Sequence, residues 1–155
     1  MFLLNLLLAI VWVALTGLYE AGNFAMGFIL AFLVLRLTQH SAAAVRYGVR
    51  VRLLIFFIGY FLRELVVSSL RVVVLVLSRR PAMQPAIIAI PLDVKSDAAI
   101  TLLGNLITLT PGTLTLDVST DHSTMYVHAI DVRDVEAFRA GIKNGFERRI
   151  LELSI

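Results

Sequence analysis

The chain has no cysteine among its 155 residues. That excludes disulfides, thiolate metal sites and cysteine nucleophiles, and leaves the redox compartment undecided. Charge is also scarce. Asp, Glu, Lys and Arg make up 16% of the residues, where a soluble domain carries about 25%. With 59% hydrophobic residues, the composition is that of a membrane protein. No Lys or Arg precedes the first apolar run, and no convincing small-x-small site follows it, so a cleaved signal peptide is not expected. The net charge of +3 resides almost wholly in Arg, clustered at Arg46, Arg50, Arg52 and at Arg79, Arg80. Both clusters flank apolar runs, as cytoplasm-facing charge does in membrane proteins. No nucleic-acid partner is expected.

The apolar half of the chain divides into three segments. Phe2–Tyr19 and Asn23–Leu37 are short but adequate for a hydrocarbon core of about 30 Å. The tight polar turn Glu20-Ala21-Gly22-Asn23 joins them as a transmembrane hairpin over residues 1–38. The third segment, Ala42–Ser78 within a region of 39–80, keeps a helical pattern interrupted by Arg63, Glu64 and Arg71. At about 100° per residue, Arg46, Arg50, Tyr60, Glu64, Ser68, Arg71 and Ser78 fall on one stripe. Two placements fit this long amphipathic helix. It lies in the membrane interface with its apolar face in lipid, or it forms a third, tilted span with the stripe buried against another subunit. The positive-inside rule favours the interface, because a third span puts one Arg cluster on the wrong side.

Pro81 and Pro85 bound a linker over 81–85, and the period then changes. The region 86–155 reads as a small α/β domain in the order β-α-β-β-α. Ala86–Val94 is a strand, and Ser96 caps a helix over Asp97–Leu109. Thr113–Ser119 alternates, with Leu114, Leu116 and Val118 on one expected face and Thr113, Thr115 and Asp117 on the other. Thr124–Ile130 is its hairpin partner. The last helix starts near Asp131–Asp134 and carries Val135, Phe138, Ile142, Phe146 and Ile150 at helical spacing. The first crossover predicts a parallel strand pair beside an antiparallel hairpin. The fold class is thus a helical membrane protein with a small C-terminal α/β domain.

Catalytic patterns find little support. His40, His122 and His128 share no ligand spacing, and His128 reads as a structural histidine. No serine sits in a nucleophile elbow and no glycine loop cradles phosphate. Asp117, Asp121, Asp131 and Asp134 lack the spacing of a calcium loop, and two of them suit capping of the last helix. No enzymatic activity, metal or cofactor is expected. Pro111 and Gly112 mark a helix stop and turn. Arg63, Glu64 and Arg71 are candidates for an ion or proton path, because charges at membrane depth are functional by default. The alternative is that they anchor the helix to a neighbouring subunit. That reading is preferred, since the first two segments offer only Asn5, Thr16 and Asn23 toward a path.

Three runs carry a resemblance. Leu109-Thr110-Pro111-Gly112-Thr113-Leu114-Thr115-Leu116-Asp117, Tyr126-Val127-His128-Ala129-Ile130-Asp131 and Phe146-Glu147-Arg148-Arg149-Ile150 resemble the E subunit of the multisubunit Mrp-type cation/proton antiporters. Asn5-Leu6-Leu7-Leu8-Ala9, Trp12 and the Arg63-Glu64 pair look similar too. The resemblance implies a subunit of a bacterial plasma-membrane complex that exchanges Na⁺ for protons. It implies other antiporter subunits and membrane lipid as partners, a cytoplasmic C-terminal domain and no catalytic role. A rival of another class is a membrane-tethered sensor or binding module acting through its α/β domain.

Overall fold

The computed structural model describes residues 1–38, 42–78 and 83–154. His40, the Arg79-Arg80 pair and Pro81 lie outside the described residues. The chain forms two compact units, Met1–Arg52 and Leu53–Ile155.

The first unit contains α1 (Phe2–Thr16), α2 (Ala21–Thr38) and the start of α3 (Ala42–Leu77). Helix α1 stops three residues short of the expected end because Gly17 adopts φ 68° and returns its N–H to the Val13 carbonyl. A left-handed cap of this kind is a glycine conformation. Asn23 then stitches the turn: its amide donates to Thr16 Oγ1 at 2.6 Å and to the Leu18 carbonyl at 2.8 Å, while Trp12 Nε1 donates to Asn23 Oδ1 at 3.0 Å. Gly27 lets the helices approach, since a Cβ there would come within 2.6 Å of the Trp12 ring. Asn5 is fully buried and donates to the Tyr47 hydroxyl at 3.0 Å.

Helix α3 is continuous over 36 residues. Its stretch Val45–Leu77 is, among the described residues, the one helix long and apolar enough to cross a membrane by length and composition. The helices α1 and α2 are apolar but shorter.

The second unit joins the rest of α3 to β1 (Ala86–Pro91), α4 (Asp97–Leu109), β2 (Thr113–Val118), β3 (Thr124–Ala129), α5 (Val135–Ile142) and α6 (Arg148–Ser154). Ser96 caps α4 by accepting from the Ala99 N–H, and Asp134 caps α5 through the Ala137 N–H. Asp131 is not a cap of α5; it accepts from the Gln84 N–H at 3.3 Å and pairs with Arg133.

The sheet order is β1-β3-β2, and both pairings are antiparallel. The expected parallel pair is therefore replaced. The connection through α4 leaves a one-strand gap between β1 and β2, and β3 fills it on returning from the hairpin. The central position of β3 accounts for the burial of Met125, Val127 and Ala129.

The expected apolar face of β2 is also corrected. Leu114 and Leu116 are exposed, whereas Val118 packs on the core. Thr113 and Thr115 turn toward α4, where their hydroxyls donate to the carbonyls of Ile107 at 2.6 Å and Gly104 at 3.1 Å. A register shift between Thr115 and Asp117 reverses the phase, so that Val118 points inward.

A π turn, Lys143–Glu147, separates α5 from α6. Ile142, Phe146 and Ile150 recur every four residues, a step that overshoots one α-helical turn by about 40°. The wider π turn absorbs the excess, and all three side chains are buried. Ile88, Ile90, Leu103 and Val127 complete that core, and α3 contributes Phe57, with Tyr60 and Phe61 packed against it.

Candidate functional site

Part of the polar stripe read from the sequence, Tyr60 to Arg71, becomes one wall of a cleft. Tyr60, Glu64, Ser68 and Arg71 of α3 line a cavity of about 410 Å³, opposite Pro111, Phe138 and Phe146. Their recurrence at three or four residues puts them on one helical face, and the apolar side chains between them are left on the other faces. The Ser68 hydroxyl is spent within the helix, donating to the Glu64 carbonyl at 2.7 Å.

Arg63 and Glu64 form an ion pair at 3.5 Å, with Arg63 mostly exposed and Glu64 partly covered. Arg71 lies seven residues on from Glu64, in the same cavity wall. Pro111 and Gly112 form the turn at the end of α4, where Gly112 adopts φ 93°. A Cβ on Gly112 would approach Ile130 to 3.2 Å and Val72 of α3 to 3.3 Å. Asp117 sits apart on the exposed side of the sheet and accepts from the Val118 N–H at 2.8 Å. His128 is half-buried on that same outer face, opposite Ile87 and Leu114. The cleft thus gathers Glu64, Arg71 and Pro111, while Arg63, Asp117 and His128 stand elsewhere.

Two arrangements were not legible from residue spacing. Arg149 places its guanidinium 3.6 Å from the centre of the Tyr60 ring, closing one side of the helix contact. Glu147 is 1% exposed. Its Oε1 accepts from the N–H groups of Asp93 at 2.6 Å and Val94 at 3.1 Å. Lys143 Nζ lies 2.7 Å from Oε2 as an ion pair. Lys143 also reaches Asp93 Oδ2 at 2.6 Å and the Pro91 carbonyl at 2.9 Å. Burial alone would lower the Lys143 pKa, but hydrogen bonds and attraction from Asp93 and Glu147 outweigh it and raise the value. The i, i+4 spacing of Lys143 and Glu147 was the available signal, and it reads equally well as a surface pair. On the β2–β3 turn, the hydroxyls of Ser119 and Ser123 hold the exposed Asp121 carboxyl down at about 2.

An apolar helix pair, and a long apolar helix with polar side chains lining a cleft of a small three-stranded domain, suit a component of a membrane complex. The profile of the family described as "Na+/H+ ion antiporter subunit" matches residues 5–153. The E subunit of the Na(+)/H(+) antiporter of Alkalihalophilus pseudofirmus is 38% identical over 152 residues, covering 98% of this chain and 96% of the relative. Its counterpart in Bacillus subtilis is 36% identical with the same coverage. Among solved structures, a chain of the archaeal membrane-bound sulfane sulfur reductase, a respiratory membrane complex, is 27% identical. It superposes with a TM-score of 0.61, covering 97% of this chain and 96% of that one. The chain belongs to the Na+/H+ ion antiporter subunit family.

Proposed function

We propose that the chain is an accessory and assembly subunit of a multisubunit Na⁺/H⁺ antiporter in the plasma membrane, supporting cation/proton exchange without an ion path of its own. The observation that carries this reading is the disposition of its polar groups. The helices α1 and α2 hold no acidic residue; Thr16 and Asn23 are spent on local hydrogen bonds, and the Asn5 amide donates to Tyr47 of α3. Glu64 is paired with Arg63 and borders a cleft of its own domain. A relay needs polar groups in series across the membrane, and the scarcity of such groups in α1 and α2 supports an accessory role. The likeness to a chain of a sulfane sulfur reductase complex agrees with a structural module reused beside different chemistry.

In this reading residues 1–38 insert as a helical hairpin among partner spans, α3 lies along the membrane surface, and residues 86–155 brace the cytoplasmic face. Support for the surface placement comes from Phe57, Tyr60, Phe61 and Val72, which pack on a domain bearing Lys143, Glu147 and Arg149. A domain with such charges is not accommodated in hydrocarbon. That packing outweighs the fact that α3 is long and apolar enough to span. Arg63, exposed on the outward side, is the candidate subunit contact; Glu64 and Arg71 serve the cleft. The participation of Phe57 in the domain core also speaks against a sensor domain that folds without α3.

Deleting the gene while keeping the other subunits should lower assembled complex and antiport together; full antiport without this chain overturns the proposal. For topology, single cysteines at Ala21, Val45 and Ser96 are labelled from each side. The surface placement expects Val45 and Ser96 on the cytoplasmic side and Ala21 opposite. Val45 and Ser96 on different sides would make α3 a span.

A further inference from the structure

Arg71 differs from the charged groups around it. Arg63 is paired with Glu64 at 3.5 Å, and Arg133 with Asp131 at 3.7 Å. Among the described residues, no hydrogen bond or ion pair reaches the Arg71 guanidinium. It stands where two cavities meet, the one of about 410 Å³ toward Glu64 and another of about 290 Å³ toward Ser78 and Arg133. Among the described residues, Arg71 is the one charged side chain lining the two cavities that has no ion-pair partner. Its floor is apolar, formed by Pro111, Ile130 and Phe138. Its outer rim is Val74, 70% exposed, next to the exposed Leu70 and Leu77 of the same helix.

We propose that this groove binds the phosphodiester of an anionic phospholipid such as phosphatidylglycerol, with the guanidinium on the phosphate and the acyl chains leaving over Val74 and Leu77. A guanidinium fork matches phosphate oxygens in bidentate fashion. One guanidinium without an ion-pair partner matches a phosphodiester monoanion. A soluble phosphate would use the charge but leave the apolar floor and rim unused, whereas a lipid uses both. The proposal rests on the reading that α3 lies at the membrane surface, because only there do headgroup and acyl chain meet the groove together. Bound this way, the lipid would clamp α3 and the Pro111 turn to the bilayer.

The test is native mass spectrometry of the full chain purified in detergent, titrated with phosphatidylglycerol, phosphatidylcholine or soluble glycerol phosphate. Phosphatidylglycerol adducts should dominate over phosphatidylcholine at equal concentration. Arg71→Gln should weaken them at least about tenfold, Arg71→Lys less, and Arg63→Gln not at all. Val74→Asp, which places a carboxylate at the rim, provides a second variant should Arg71→Gln fold poorly, and it too should lower phosphatidylglycerol occupancy. Equal binding of the two lipids overturns the proposal, as does undiminished binding in both Arg71→Gln and Val74→Asp. Competition by glycerol phosphate at lipid-like concentration would make this a soluble-phosphate site instead, and overturn the lipid assignment. Lipid adducts are read in detergent and topology by cysteine labelling, so a failure here is distinct from a failure of the surface placement.

Discussion

Tyr60 of α3 meets Phe146 of the π turn edge to face, with ring centroids 5.4 Å apart and planes inclined by 78°. An apparent membrane helix is thereby part of the core of the domain that follows it. Phe57, one turn earlier, is buried in the same cluster. Truncating Phe57 or Phe146 to Ala should each cost about 3–5 kcal/mol, the range for large-to-small changes of buried aromatics. Unfolding of the full chain in detergent, followed by circular dichroism, measures it. A change below about 1 kcal/mol at Phe57 would separate α3 from the domain core.

The Lys143–Glu147 pair predicts a strong asymmetry between single and double variants. Lys143→Met leaves a buried carboxylate without its cation and should destabilise by about 3–5 kcal/mol. Adding Glu147→Gln removes the stranded charge, so the double variant should lose less than the sum of the single losses. Because the folded pKa of Lys143 is raised, the pair's contribution is fully present below 10.5 and fades as pH rises through the folded value. Stability measured upward through pH 10.5 should therefore fall more steeply in the native chain than in the Lys143→Met variant.

Strong acid should weaken the β2–β3 turn. The folded pKa of Asp121 is depressed from 3.8 to about 2 by hydrogen bonds from Ser119 and Ser123. A depressed carboxylate stabilises the fold above its unfolded value and loses that contribution as pH falls through the folded one. Asp121→Asn should flatten the melting-temperature profile between 3.8 and about 2 while leaving it parallel above. An unchanged profile in that window would remove the turn's hydrogen bonds from the account.

Gly112 offers a backbone test. At φ 93°, with Ile130 and Val72 near any added Cβ, Gly112→Ala should cost about 1–3 kcal/mol. The neighbouring Pro111→Ala, which keeps the local path, should cost less. Equal small losses would mean that the turn is not constrained by α3.

Residue patterns alone carried the membrane composition, the extent of α3 and its polar stripe, both hairpin strands, and the caps at Ser96 and Asp134. These are local: period, charge and capping chemistry act over a few residues. Tertiary structure decided what patterns leave open. Alternation in β2 established that its leucines and threonines part company, but the sides were set by α4 carbonyls that accept the Thr113 and Thr115 hydroxyls, and a bulge then changed the phase. The place of β3 at the centre of the sheet depended on which gap the hairpin filled. The stripe of Tyr60, Glu64 and Arg71 gained its meaning from the surface it faces, which lies many residues away along the chain. A helical period names a face; only the packing of distant elements says whether that face meets lipid, water or protein.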